Sequence, residues 1–267
     1  MGTPRLAVWK FTSCDGCQLN LLDCTDELLA LADLVYISHF TEASSVDEPG
    51  PYDISVVEGS ISTPEEVTRI RRVREQSGVL VVLGACGTAG GIQALREFGD
   101  VAEFSSQVYA SPSQVAALAT STPIAAHVPV DYELRGCPIN RHQLLEVLDA
   151  LLAGRRPDLP DTSVCTECKR AGHTCVLVAE GATCLGPVTQ AGCGAVCPAY
   201  RRGCFGCFGP SRGANVPALL PLLRDRGVTD DALRRVFGTF NATAPEFRQV
   251  PDLVDGGCRC HTGDIDS

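Results

Sequence analysis

The sequence predicts a doubly wound α/β fold followed by a loop-rich, cysteine-rich region with short helices. Three observations predict it. Apolar runs of strand length alternate with stretches of helical spacing from Leu6 to Leu152, the pattern of a parallel sheet covered on both faces. The stretch Arg155-Arg156-Pro157-Asp158-Leu159-Pro160 then reads as a linker. Beyond it Cys, Gly and Pro become dense, and hydrophobic periodicity vanishes until about Val216. Two domains are therefore expected, residues 1–157 and 158–267. Right-handed crossovers make the first a flavodoxin-like sheet.

Leu6–Phe11 reads as the first strand, followed by a helix from about Gln18 to Leu31 with Leu21, Leu22, Leu28 and Leu29 at helical spacing. Leu34–Ile37 and Ile54–Val57 read as short buried strands. Thr63-Pro64-Glu65-Glu66 starts a helix, with a capping Thr, Pro in the first turn and acids favoured by the helix dipole. It runs to about Gln76, and Ser77-Gly78 ends it. Val79–Leu83 is the next strand, with helices expected from Ala89 to Phe98 and from Ser113 to Ala119. The apolar run Ile124–Val130 reads as a last strand, leading through Gly136-Cys137-Pro138 to a helix from Arg141 to Leu152. Further on, helices are expected over Pro217–Arg226 and Asp230–Phe237, and Asp255–Ser267 reads as a loose tail. The cysteine-rich segment is not expected to form a core alone; its ligands would hold it together.

The chain has 267 residues, 45% hydrophobic and 20% charged, the balance of a globular protein. No apolar run approaches the ~20 residues of a membrane span. The chain opens on a strand rather than a signal segment, so a cytoplasmic location with no membrane partner is expected. The net charge of −10 argues against nucleic acid. Fifteen cysteines in a reducing compartment point to metal or redox chemistry rather than disulfides.

Twelve of those thiols carry the functional argument. Cys14 and Cys17 follow the first strand, Cys86 follows Val79–Leu83, and Cys137 follows the Ile124–Val130 run. If those runs are parallel strands, all four thiols collect along one edge of one sheet, where open α/β sheets bind cofactors. A second group of eight, Cys165, Cys168, Cys175, Cys184, Cys193, Cys197, Cys204 and Cys207, suffices for two cages. Four-sulfur cages suit zinc or an iron–sulfur cluster. Uneven spacing, Pro198 directly after Cys197 and a first set straddling a whole sheet favour iron over zinc. The C-x2-C-x2-C run of a simple ferredoxin is absent.

Five short motifs add a resemblance. Thr12-Ser13-Cys14-Asp15-Gly16-Cys17-Gln18, Val57-Glu58-Gly59-Ser60, Leu83-Gly84-Ala85-Cys86, Arg135-Gly136-Cys137-Pro138 and Cys184-Leu185-Gly186-Pro187-Val188-Thr189 occur in that order. Together they resemble the small subunit of nickel–iron hydrogenases, in particular the delta subunit of the cytoplasmic, NADP-linked sulfhydrogenase type. The resemblance runs from about Leu6 to Phe240. It implies that Cys14, Cys17, Cys86 and Cys137 bind a proximal 4Fe–4S cluster. It further implies a distal cluster on Cys165, Cys168, Cys175 and Cys184, and a medial one on Cys193, Cys197, Cys204 and Cys207. Many periplasmic relatives have histidine at the position of Cys165 and three cysteines at the medial cluster. Four thiols at each site here imply three 4Fe–4S clusters.

The same resemblance implies partners: a large subunit holding the NiFe centre, and iron–sulfur and flavin diaphorase subunits carrying FAD and NADP(H). Nickel would be held in that other chain by Arg-x-Cys-Gly-x-Cys and Asp-Pro-Cys-x-x-Cys, and neither motif is present here. No catalytic residue is therefore assigned to this chain. Electrons would pass from the proximal to the medial to the distal cluster and on to a flavin that reduces NADP. An equivalent subunit serving deazaflavin F420 or a heterodisulfide reductase is the alternative, and a zinc-stabilised interaction module is the competing class.

Other residues have plainer readings. Glu58, at the end of a strand, either caps a loop or stands behind the proximal ligands near the partner interface, as the resemblance implies. His173 reads as exposed or behind the ligands rather than on iron, and Cys24 as a small core residue. Cys258, Cys260 and His261 read as thiols and an imidazole on a loose end. The glycines of Gly84–Gly91 lack the Gly-Lys-Ser/Thr of a phosphate loop. They are expected to let backbone approach sulfur and donate N–H bonds to it.

Overall fold

The computed structural model describes residues 2–255. The first part alternates β1 (Arg5–Lys10), α1 (Gly16–Leu22), α2 (Thr25–Ala32), β2 (Tyr36–Phe40), β3 (Tyr52–Glu58), α3 (Pro64–Glu75), β4 (Ser77–Leu83), α4 (Gly84–Ala89), α5 (Val101–Val108), β5 (Tyr132–Leu134) and α6 (Arg141–Leu152). The five strands are all parallel, in the order β2-β1-β3-β4-β5. That is the flavodoxin-like order, with its topological switch between β1 and β3. Alternate residues feed opposite faces. Leu6, Val8, Ile54, Val56, Val81 and Leu83 pack with Leu144, Val147 and Leu148 of α6. Val57, Leu80 and Val82 pack on the other side with Ile70 and Val73 of α3.

The second part comprises α7 (Val164–Arg170), α8 (Val176–Ala179), α9 (Val196–Ala199), α10 (Val216–Arg224), α11 (Asp230–Phe237), α12 (Pro245–Arg248) and α13 (Val250–Asp255). The cysteine-rich segment shares a core with the helices that follow it. Val164, Val176, Leu185 and Val188 pack with Leu219, Leu223, Leu233, Phe237 and Phe247. Its apolar residues lack period because they come singly from loops and short turns. Hydrogen bonds join the two parts at the C-terminal edge of the sheet. Arg135 Nη1 donates to Pro210 O at 2.7 Å, Asn140 Nδ2 to Gly192 O at 2.6 Å and Thr243 Oγ1 to Ala89 O at 2.6 Å.

The α3 start holds a reciprocal cap: Glu66 N donates to Thr63 Oγ1 at 3.2 Å and Thr63 N to Glu66 Oε2 at 3.1 Å. Several other boundaries differ from the sequence reading. The helix expected over Gln18–Leu31 is two, broken at Asp23 and Cys24, because Thr25-Asp26-Glu27 supplies a second acidic helix start. Cys24 at the break is buried in the core. The second strand begins at Tyr36 rather than Leu34, since the Leu34 and Val35 amides still close the preceding turn on Leu31 O. Gly90 and Gly91, both at positive φ, split the expected Ala89–Phe98 helix into α4 and a 3-10 segment over Ile92–Phe98. A helix capped by Asp100, whose Oδ1 accepts the Ala102 and Glu103 amides, was not expected. The stretch Ser113–Ala119 holds only part of a 3-10 turn at Pro112–Gln114. Ile124–Val130 is not a strand: Pro129 removes a ladder donor inside it, and β5 starts at Tyr132. The helices α7, α8, α9, α12 and α13 were also not foreseen. Among the described residues no helix is long and apolar enough to cross a membrane. Cys258, Cys260 and His261 lie outside the described residues.

Candidate metal centres

Cys14 and Cys17 leave the end of β1 at the switch point, Cys86 lies in the first turn after β4, and Cys137 follows β5. Their mutual influence shows that the four thiols converge. Burial pushes Cys86 up to about 11, with Cys137 and Cys14 adding to the effect. Burial likewise raises Cys137, then Cys14 and Glu58. Cys17 is raised strongly, by burial first, then by Glu58, with Cys86 also adding.

Two glycines make this convergence possible. At Gly84, with φ of 76°, an added Cβ would lie 2.6 Å from Cys17 Sγ. At Gly91, with φ of 71°, it would lie 2.7 Å from Cys86 Sγ. Only glycine tolerates both the conformation and the approach. The expected N–H donation from this segment is not found at Gly90 and Gly91, whose amides bond Cys86 O and Ala85 O. The backbone that favours the Cys17 thiolate is that of Ile139 instead.

Glu58 is 1% exposed, and its two carboxylate oxygens accept the Cys17 and Gln18 amides at 3.0 Å each. It thus caps α1 while lying near enough to raise Cys17 and Cys137. Burial raises its own pKa despite these two N–H bonds. The Gln18 side-chain amide beside it is fully buried, with no hydrogen-bond partner on either atom.

Of the eight later thiols, Cys165, Cys168, Cys175 and Cys184 act on one another and Cys193, Cys197 and Cys207 do likewise, with Cys204 near both Cys184 and Cys207. Burial pushes Cys165 up to about 11, and Cys184, Cys175 and Cys168 add to it. Cys168 is raised by burial, then by Cys175 and Cys184. A Cβ at Gly186 would touch Cys184 Sγ at 3.4 Å and Cys165 Sγ at 3.5 Å. In the other group, burial pushes Cys207 up to about 11, with Cys193 and Cys197 adding. Cys204 rises to about 12, by burial first, with Cys184 and Cys207 adding. Cys204 N donates to Cys184 Sγ at 3.2 Å, so the groups adjoin. His173 is half-buried in the turn after α7, its amide bonded to Cys168 O at 3.1 Å.

The donor sets suit a cationic metal body. Thiols crowded together and largely withdrawn from water ionise together only against positive charge. Soft sulfur donors of this kind take zinc or iron–sulfur. Among the described residues no three His, Cys, Asp or Glu side chains gather closely enough around one point to hold a single ion. A cubane asks something different, since each thiolate binds its own iron.

Some supporting residues carried no sequence signal. Asn241 is buried, and its Nδ2 donates to Gly206 O at 3.0 Å and Cys207 O at 3.2 Å. Glu167 Oε1 accepts the Gly192 amide at 2.9 Å beside Cys193. Gln93 Nε2 donates to Thr12 O at 2.8 Å, with its Oε1 3.7 Å from Cys86 Sγ.

The chain is similar to known proteins in sequence and in fold. The sequence profile of the family described as NADH ubiquinone oxidoreductase, 20 Kd subunit, matches residues 14–151. The chain is 36% identical to sulfhydrogenase 2 subunit delta of Pyrococcus furiosus, over 88% of this chain and 98% of that one. The chain belongs to this family, as a hydrogenase small subunit. A second relative of this small subunit is a component of the F420-non-reducing hydrogenase vhu of Methanocaldococcus jannaschii. It is 30% identical over 77% of this chain and 81% of its own length. Among solved structures, a chain of an NAD+-reducing [NiFe]-hydrogenase in the H2-reduced state superposes with a TM-score of 0.55 at 30% identity. It covers 60% of the small subunit described here and 96% of its own chain. The chain is therefore an iron–sulfur, electron-transferring subunit of a nickel–iron hydrogenase, an oxidoreductase.

Proposed function

We propose that this subunit relays electrons in a cytoplasmic hydrogenase through three 4Fe–4S clusters. Cys14, Cys17, Cys86 and Cys137 hold the proximal one. Cys193, Cys197, Cys204 and Cys207 hold the medial one, and Cys165, Cys168, Cys175 and Cys184 the distal one. The observation that carries this reading is the gathering of twelve thiols into adjoining sets, most of them buried or half-buried, with Cys14 and Cys175 exposed. Bound clusters of this kind supply one-electron transfer at potentials set by charge, hydrogen bonds and solvent exposure.

The chain's own residues set those conditions. The Ile139 amide at Cys17, the Gly206 amide at Cys204 and the Ala195 and Val196 amides at Cys193 all favour the thiolate. Glu58 works the other way on Cys17 and Cys137 by adding negative charge. The residue ranges 1–157 and 158–267 act as two functional units, one carrying the proximal site and the other the remaining two.

The partner at the proximal edge is a large subunit holding the NiFe centre. Support comes from the apolar surface beside that edge. Helix α5 has no buried residue, and Ile92, Phe98, Phe104, Val108 and Tyr109 are exposed, Val108 at 72%. Patches of this sort mark protein interfaces. On the electron-accepting side we propose iron–sulfur and flavin diaphorase subunits that bind FAD and reduce NADP. The sulfhydrogenase and NAD+-reducing relatives favour that acceptor. A second reading has a disulfide reductase as the acceptor, and the F420-non-reducing relative speaks against F420 in that place.

Anaerobic purification of the native complex separates these readings. Co-elution of a NiFe chain and a flavoprotein, with hydrogen-dependent NADP reduction, is expected. A complex that reduces only a disulfide acceptor would favour the second reading, and a chain that purifies with zinc and no redox partner would contradict both.

A further inference from the structure

The side chain of Gln93 meets three of the segments that build the first thiol set. It comes from the 3-10 segment Ile92–Phe98, directly after the Gly90-Gly91 break. Its Nε2 donates to Thr12 O at 2.8 Å, two residues before Cys14, and to Ser60 Oγ at 2.8 Å, two residues after Glu58. Its Oε1 lies 3.7 Å from Cys86 Sγ. Gly91 leaves room for that approach, since a Cβ there would lie 2.7 Å from each of those two atoms. The neighbours decide which end of the amide faces the sulfur. A backbone carbonyl only accepts, so the group 2.8 Å from Thr12 O is the nitrogen. Ser60 requires the same orientation. It is fully buried, and its hydroxyl already donates to Thr12 O at 3.2 Å. Its oxygen is left to accept, from Gln93 Nε2 and from Ser121 Oγ at 2.8 Å each.

With its nitrogen held by two acceptors, Gln93 turns its carbonyl oxygen to Cys86. A free thiol there donates S–H to that oxygen. A thiolate bound to iron has no proton to give, and the contact then sets the negative end of an amide dipole against a negative sulfur. Negative potential beside an iron–sulfur cluster disfavours the incoming electron. We propose that Gln93 is a positioning residue whose carbonyl, aimed at Cys86 Sγ, holds the reduction potential of the proximal 4Fe–4S cluster low. The proposal rests on the reading that Cys14, Cys17, Cys86 and Cys137 hold that cluster. Its effect is opposite in sign to that of the backbone amides at Cys17, Cys193 and Cys204, which favour the thiolate.

The test is a redox titration of the native complex followed by electron paramagnetic resonance. The proximal signal is the one missing from Cys86→Ser. Gln93→Met keeps the length of the side chain and removes both N–H and C=O. Its iron should be retained and its proximal midpoint should rise. The expected shift in the reduction equilibrium is about tenfold, which for one electron is about 59 mV, with the other two midpoints unmoved. Gln93→Glu keeps an oxygen towards Cys86: protonated, its O–H replaces the N–H at Thr12 O, and ionised it adds negative charge. Its proximal midpoint should stand at or below the wild-type value. A lowered midpoint in Gln93→Met would mean that an N–H faces the sulfur, and would overturn the proposal. An unchanged midpoint in Gln93→Met, or a rise in Gln93→Glu, would overturn it as well. So would loss of proximal iron from both variants, which would make Gln93 a support for the loops rather than a control on potential. A wild-type complex with no proximal signal would instead sink the cluster reading itself, which keeps the two failures apart.

Discussion

The backbone N–H of Cys137 lies near the thiol of Cys207. One residue belongs to the edge of the parallel sheet, the other to the C-terminal region, and more than sixty residues separate them in sequence. Burial pushes Cys207 up to about 11, and that N–H pulls it back towards the thiolate. The contact brings the proximal and medial thiol sets side by side. The Arg135–Pro210 and Asn140–Gly192 hydrogen bonds hold it from either side.

Replacing Cys86 by Ser tests the proximal set. Iron should fall from about twelve to about eight per chain, one cubane's worth. Hydrogen-dependent reduction of any acceptor should drop by about a hundredfold or more. Iron analysis and a viologen assay on the purified complex read both.

Gly84→Val should act on the same set without touching a ligand. Its Cβ would meet Cys17 Sγ at 2.6 Å in a left-handed conformation, which alone costs about 1–2 kcal/mol. The expected outcome is selective loss of proximal iron, with the C-terminal iron retained. Cluster spectra and iron counts distinguish that from global unfolding.

Asn241→Leu should weaken the medial site from a distance. It leaves the Gly206 and Cys207 carbonyls without their donor, at a cost of about 1–3 kcal/mol. Faster loss of medial iron on dilution or warming, followed by its spectrum, is the readout. Retention equal to wild type would show that the hydrogen bonds are dispensable.

His127 makes a pH prediction away from the thiols. Burial, then nearby Arg71, holds its pKa below the usual histidine value, and its Nε2 lies 2.7 Å from Thr122 Oγ1. The unfolded chain therefore takes up the proton first as pH falls. The stabilising contribution is whole above about 6.5 and is lost as pH drops through the folded-state value. His127→Gln should flatten the fall in melting temperature between about pH 7 and pH 5, by about a few degrees at most. An unchanged slope would contradict the assignment.

Much of this was legible in the sequence because it rests on local pattern. Alternating runs gave the parallel sheet, and Thr63-Pro64-Glu65-Glu66 marked the start of α3. The strand-end positions of Cys14, Cys17, Cys86 and Cys137 put them on one edge. The misreadings have local causes too: Pro129 unmade a strand, Gly90-Gly91 cut a helix, and Asp100 capped one that was overlooked. What stayed hidden is long-range. Asn241 and Cys207 are brought together only by the packing of the C-terminal core, as are Val188 and Phe247. No spacing rule reports such pairs. Gln18, buried without a partner, reads in sequence as an ordinary polar helix residue.

Metal and sulfide analysis of the anaerobically purified subunit in its native complex tests the central claim most directly. Three cubanes predict about twelve iron and about twelve acid-labile sulfide per chain, without zinc. Zinc at these sites, or iron equivalent to a single cluster, would contradict the account.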